Sequence, residues 1–297
     1  MESSSFQQIQ VKWKSPAIIY SALLIMFCIS GACCQDFGVA KVVNSSDRVP
    51  IRYEVHGEGK LAIVLVHGWS CDRSYWVGQV KEFSQKFQVV TVDLAGHGES
   101  GLERKEWTIE SFGADVAAVV EELDLDRMIL VGHSMGGDVI MEVARLLPGR
   151  VEGIVWLDTY QQLRTPRTVE QIQEFLTPFR ADFAETTSTF VRGMFPPGSD
   201  KTLVDRVAMD MAAAPPEIAL KALESSFTYG RKITVPLEEL ELPVVAINPD
   251  NSATDVESME LHRVQVVLMP GVGHFLMMED PEGFNALLME VIEGFTQ

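Results

Sequence analysis

The residues that could do chemistry begin with Ser134, in the run Gly132-His133-Ser134-Met135-Gly136. Met128 to Val131 just before it is apolar and reads as a short buried strand, and Gly137 to Leu147 just after it reads as a helix. A residue on so sharp a strand-to-helix turn is held in strained φ/ψ, and the positions two before and two after must be small to avoid clashes. Glycine at 132 and 136 meets that need, and the strain presents the Ser134 hydroxyl clear of the sheet edge. The N-terminus of the following helix turns N–H groups and a partial positive charge toward the same point, which favours a developing oxyanion. A free hydroxyl is a poor nucleophile at neutral pH, so serine here needs a base, to be found among six histidines.

The rest of the chain must position that turn. At 297 residues it is long enough for a sizeable core, and 46% apolar with 22% charged residues is ordinary for a globular protein. The net charge of −18 repels phosphate backbones, and without a basic cluster it argues against nucleic-acid binding. Such acidity favours solubility and a neutral or cationic substrate. Residues 1–36 read as a leader rather than as fold. Lys12 and Lys14 give a basic start, Ala17–Ile29 is an apolar stretch short for a comfortable membrane span, and Ser30, Gly31 and Ala32 precede Cys33-Cys34. This layout predicts a signal peptide and a secreted or periplasmic protein, with an uncleaved signal-anchor or a lipid on Cys33 as alternatives. Three of four cysteines lie in this leader, so no disulfide framework is implied.

From residue 37 onward, apolar β-branched runs alternate with helical patterns. Strands are expected at Val39–Val43, Val49–His56, Leu61–Val66, Phe87–Leu94 and Val151–Leu157, and helices at Tyr75–Phe83 and Thr108–Leu123. Continuous apolar strands between helices mean a mostly parallel sheet covered on both faces. The alternation stops between residues 159 and 241, where helical patterns are broken by Pro166, Pro178, Pro196-Pro197 and Pro215-Pro216. A structureless loop of that length is implausible in a compact domain, so a helical insertion over one end of the sheet is expected. Its Phe and Met residues serve as insertion core, and some of them could line an apolar pocket. Strands resume at Pro243–Asn248 and Val264–Met269, and Pro281–Phe295 closes the chain as a helix.

Four separated motifs stand in order: His67-Gly68-Trp69, Asp93-Leu94-Ala95-Gly96-His97-Gly98-Glu99-Ser100, Gly132-His133-Ser134-Met135-Gly136, and Gly273-His274 before a terminal helix. Together they resemble the α/β-hydrolase superfamily, over about residues 39–297. The resemblance implies an α/β fold whose core runs over 37–158 and 242–297, with a helical cap over 159–241 inserted after the sixth core strand. It implies a triad in the chain order Ser, acid, His. His274, in a Gly-rich loop after the last strand, fits the base. His133 lies within the turn, His67 and His97 belong to backbone-shaping motifs, and His56 and His262 have no motif context. For the acid, Asp250 is favoured over Asp255, in a loop reading Asn248-Pro249-Asp250 that departs from the family's usual Gly-x-x-Asp, and Asp158 after the sixth strand is a third option. The oxyanion hole implied by the resemblance is made by the backbone N–H groups of Trp69 and Met135.

Serine at the turn counts against epoxide hydrolases and haloalkane dehalogenases, which place aspartate there. No cofactor and no metal is expected: no Cys/His spacing suggests a metal site, and no Gly-x-Gly-x-x-Gly follows the first strand. What is left is acyl chemistry on a small or medium apolar ester, lactone or thioester, and less often on a C–C bond. The alternative is a receptor-like relative that binds a ligand with little turnover.

Overall fold

The computed structural model describes residues 40–296, so the leader predicted over residues 1–36 lies outside the described residues. Eight strands form one sheet: β1 (Lys41–Asn44), β2 (Pro50–His56), β3 (Ala62–Val66), β4 (Gln88–Val92), β5 (Met128–His133), β6 (Val151–Leu157), β7 (Val244–Pro249) and β8 (Val264–Met269). Their spatial order is β1-β2-β4-β3-β5-β6-β7-β8, with β1–β2 and β2–β4 antiparallel and every other pair parallel. The continuous apolar runs are the inner strands. Every residue of β3 and β5 is buried, as a strand covered on both faces requires.

The core helices are α1 (Val77–Phe83), which follows a 3-10 turn at Arg73–Trp76, then α2 (Ile109–Glu122), α3 (Met135–Leu146) and the terminal α11 (Pro281–Phe295). At α2, the Thr108 and Ser111 side chains bond each other's backbone N–H in a capping box, which satisfies donors the first turn would leave orphaned. From β3 the chain crosses to β4 through α1, then reverses past β3 to β5 through α2 and runs on outward to β6 through α3. Right-handed crossovers in opposite directions place their helices on opposite faces, and α1 accordingly packs with α11 while α2 packs with α3. The reversal leaves a crevice outside the carboxyl ends of β3 and β5, where open α/β sheets bind ligands. Trp69 and Ser134 emerge there.

Between β6 and β7 lie five helices: α4 (Val169–Ala181), α5 (Phe183–Arg192), α6 (Lys201–Ala212), α7 (Pro216–Gly230) and α8 (Thr234–Leu240). Phe175, Phe179, Phe190 and Phe227 make a web of edge-on and tilted ring contacts at centroid distances of 5.2 to 5.5 Å, which supplies this segment with its own core. The helical reading of 159–241 therefore holds for its secondary structure. Two short helices, α9 (Val256–Glu260) and α10 (Leu276–Glu279), stand where loops were expected.

Candidate active site

Ser134 is the first residue after β5, at φ 52° and ψ −120°, a strained conformation for a residue with a side chain. Its neighbours explain the glycines. A Cβ on Gly132 would lie 2.3 Å from the Gly136 carbonyl oxygen, and one on Gly136 would lie 2.4 Å from that of Val66. The turn closes only if both positions lack side chains. Ser134 N–H donates to the Leu157 carbonyl at 2.9 Å, tying the turn to the end of β6.

That tie decides which carboxylate is near. β5 and β6 run in parallel with His133 opposite Leu157, so Ser134 and Asp158 leave the sheet side by side. Asp158 Oδ2 accepts from His274 Nδ1 at 2.7 Å, and Oδ1 accepts from Gln161 Nε2 at 2.7 Å. Burial pushes the Asp158 carboxyl up, but His274 and Gln161 outweigh it and hold it below the usual carboxylate range. The expectation for Asp250 is corrected here: it is exposed beyond β7, its N–H donates to Met269, and among the described residues its side chain accepts only from the Gly271 N–H, at 3.3 Å. Asp255 is engaged elsewhere as well, capping α9 through Ser258 N–H at 3.0 Å and pairing with Arg164 at 3.4 Å. Neither reaches His274.

With Nδ1 donating to Asp158, the other ring nitrogen of His274, Nε2, is left to accept a proton. Ser134, His274 and Asp158 line one cavity of about 370 Å³. Among the described residues no hydrogen bond joins Ser134 Oγ to the imidazole; catalytic hydrogen bonds are often long before substrate binds. The His274 loop is fixed on every side. Its N–H donates to Met194 O in the insertion at 3.1 Å, and its carbonyl accepts from His133 Nε2 at 2.9 Å. Burial lowers the pKa of His133 to about 3, so that ring stays neutral and can make this contact as the Nε2–H tautomer. Glu279 Oε1 accepts from Gly273 N–H at 2.9 Å and Phe275 N–H at 3.2 Å, clamping the backbone on both sides of the histidine.

Met135 opens α3, so its N–H has no carbonyl one turn back within the helix. Among the described residues no group accepts from the Trp69 N–H. Both residues line the cavity beside Ser134. The Trp69 indole donates to Ala219 O of α7 at 2.7 Å and meets Phe179 and Phe183 edge-on, so it joins the post-β3 loop to the insertion while walling the cavity. The insertion lines the same cavity through Phe175, Phe190, Met211, Leu223 and Phe227.

The second motif is structural, as its sequence suggested. Asp93 accepts from the N–H groups of Arg73 and Glu99 at 2.8 and 2.9 Å and pairs with the Arg73 guanidinium, knotting the loop after β4. His67 Nε2 accepts from Leu94 N–H at 3.1 Å while Nδ1 contacts Gly68 O at 2.8 Å, and burial lowers its pKa to about 4, so a neutral ring latches the two loops together. Sequence reasoning missed Glu279 and also Asp138, a buried carboxylate of α3 on the cavity wall. A signal for Asp138 was present: Asp138 and Glu142 are acids four apart on a helix whose other inward positions are apolar.

The chain belongs to the alpha/beta hydrolase family, whose profile matches residues 63–287. Among curated proteins it is 36% identical over 102 residues to the dihydrolipoyllysine-residue acetyltransferase component of the acetoin cleaving system of Pseudomonas putida, a match covering 34% of this chain and 28% of that one. The first curated relatives are thus matched over less than a third of their own length. A longer match, 27% identical over 262 residues, covers 80% of this chain and 97% of the pimeloyl-[acyl-carrier protein] methyl ester esterase of Nitrosospira multiformis. Among solved structures, a thermophilic esterase from Thermogutta terrifontis superimposes with a TM-score of 0.74 at 24% identity, over 87% of this chain and all of that one.

Proposed function

We propose that this protein is a serine hydrolase that cleaves a carboxylic ester, lactone or thioester of small to medium size through an acyl-enzyme on Ser134. The observation that carries the reading is the Asp158–His274 hydrogen bond of 2.7 Å in the cavity onto which the strained Ser134 turn opens. The full-length likeness to a methyl ester esterase points the same way.

In this reading His274 Nε2 takes the proton from Ser134 Oγ as the oxygen attacks the carbonyl carbon. Asp158 holds the ring in the tautomer that leaves Nε2 free and stabilises the imidazolium. The carbonyl oxygen becomes an oxyanion facing the Met135 and Trp69 N–H groups, where loss of one such donor typically costs about 2.7–4 kcal/mol. Collapse expels the alcohol, which takes the proton back from Nε2. Water then repeats the steps on the acyl-enzyme, giving a carboxylic acid and free Ser134. The five-helix insertion acts as the cap of the site, its phenylalanines and methionines excluding water from the acyl group. The layout of residues 1–36 supports a secreted or periplasmic protein, or one anchored to a membrane through that segment; among the described residues no helix is long and apolar enough to cross a membrane.

The test is hydrolysis of p-nitrophenyl esters from acetate to decanoate by the protein and by Ser134→Ala. Turnover should be optimal at a short or medium chain and fall on the order of 10⁶-fold in the variant. Equal turnover by the two proteins would refute the assignment, and saturable binding without product release would mark a receptor.

A further inference from the structure

One stretch of the cavity wall is unlike the rest. One turn along α3 from Ser134, Asp138 is 2% exposed and faces the cavity. Its Oδ2 accepts from Ser226 Oγ of α7 at 2.6 Å, and its Oδ1 accepts from the Tyr160 hydroxyl. Both partners line the cavity too. Two hydroxyl donors do not exhaust a carboxylate, which has about four acceptor positions, and each hydroxyl oxygen keeps acceptor capacity of its own. Gly230 of α7 packs against the Tyr160 phenol, where a Cβ would lie 3.2 Å from the phenol oxygen and crowd it. Next to Tyr160 the Thr159 hydroxyl is buried on the same lining with no partner among the described residues. Phe175, Phe190, Leu223, Phe227 and Ile233 give the same cavity an aromatic and aliphatic side, and Gln161, Gln162 and Arg167 line it elsewhere.

We propose that Asp138, Tyr160 and Ser226 form a specificity wall that recognises a neutral hydroxyl group on the substrate, several carbons from the scissile carbonyl. The inference rests on Ser134 as the point of attack only for that spacing. Four residues of helix advance about 6 Å, close to the length of an extended six-carbon acyl chain. The charges that line the cavity select hydroxyl over the ionic alternatives. The Arg167 guanidinium, over the rings of Phe175 and Phe227 at 5.5 and 5.0 Å, already puts a cation on this cavity and disfavours an ammonium. The Asp138 carboxyl disfavours a substrate carboxylate. Burial pushes Asp138 up to about 7, against the hydroxyls that lower it, so near neutrality it can donate to a hydroxyl oxygen or accept from its proton.

A wall that only braced α3 against α7 would affect all substrates alike, whereas recognition affects one. The experiment compares kcat/KM for methyl hexanoate, methyl 6-hydroxyhexanoate and methyl 6-aminohexanoate by pH-stat, in the wild type, Asp138→Asn and Tyr160→Phe. The wild type should favour the hydroxy ester over hexanoate on the order of 10- to 100-fold, because an apolar ester leaves the spare acceptor positions of Asp138 and the Thr159 hydroxyl without a partner. In both variants that ratio should fall toward one. A wild-type ratio near one, a ratio unchanged in Asp138→Asn, or a preference for the amino ester would each overturn the proposal, and the first and last need no variant to fold. Calorimetric binding of the same esters to Ser134→Ala reads the wall without turnover. Preference in binding with no hydrolysis by the wild type would refute the nucleophile and keep the wall, and hydrolysis without preference would refute the wall alone.

Discussion

Replacing Asp158 by Asn separates this site from one built on Asp250, and the contacts of Asp158 give the direction of the effect. Gln161 Nε2 donates to Asp158 Oδ1 at 2.7 Å. In Asp158→Asn, with the Gln161 amide keeping its native orientation, the new amide oxygen stays with Gln161 Nε2 and the new NH₂ is turned to His274 Nδ1. A donor facing Nδ1 forces the proton onto Nε2, and an Nε2–H imidazole cannot take a proton from Ser134. The geometry survives while the tautomer inverts, and a change of that kind in a serine protease lowers kcat about 10⁴-fold, or about 5 kcal/mol of transition-state stabilisation. With p-nitrophenyl butyrate as substrate, Asp158→Asn should lose about that much kcat with its KM within a few-fold of the wild type. Asp250→Asn and Asp255→Asn should stay within about two-fold, since neither side chain reaches His274. A large loss in Asp250→Asn with Asp158→Asn near wild type would refute the reasoning.

Three further outcomes follow from the same contacts. Asp138 titrates near 7 in the folded protein against 3.8 for an ordinary aspartate, so between those pH values the native state binds the extra proton and stability is lost as pH rises. The loss is on the order of 4 kcal/mol from pH 4 to 8, and Asp138→Asn should remove it; urea unfolding of both proteins across that range checks this, and parallel pH profiles would contradict it. Gly136→Ala puts a Cβ 2.4 Å from the Val66 carbonyl, backbone that cannot swing away, and should cost about 3 kcal/mol or leave the protein insoluble, as thermal melting would report. Glu279→Gln keeps one acceptor for the Gly273 and Phe275 N–H groups but loosens the clamp, so kcat should fall about 10- to 100-fold with little change in melting temperature; an unchanged kcat would show that the loop needs no clamp.

The parts of the fold legible in the sequence are those written in local pattern. Val151–Leu157, Val264–Met269 and Pro281–Phe295 form with the bounds expected of them, because apolar β-branched runs and an Asp280-Pro281 helix start are unambiguous. The turn at Ser134 and the loop at His274, which line one cavity, are legible because a turn flanked by glycines and a Gly-rich loop each carry their own constraint. The acid was not. Its identity depends on β6 lying beside β5 in a register that sets Leu157 opposite His133, and no stretch of sequence states which strands are neighbours. Asp250 lies two positions out along the sheet order, past β7, so its place in the chain near the usual acid is undone by geometry. Glu279 escaped notice for a similar reason: its partners are backbone N–H groups of a loop that the sequence shows only as glycines. The short helices α9 and α10 are set by their loops' attachments rather than by any periodicity, which needs more than one turn to be seen.

The central claim is a covalent acyl group on Ser134, and the most direct measurement is peptide mapping by mass spectrometry after rapid acid quench of the protein with p-nitrophenyl acetate. The account predicts one acetyl group on the peptide containing Ser134, accumulating within the first turnover and absent in Ser134→Ala. Product release with no acetylated serine, or an acetyl group on another residue in both proteins, would contradict it.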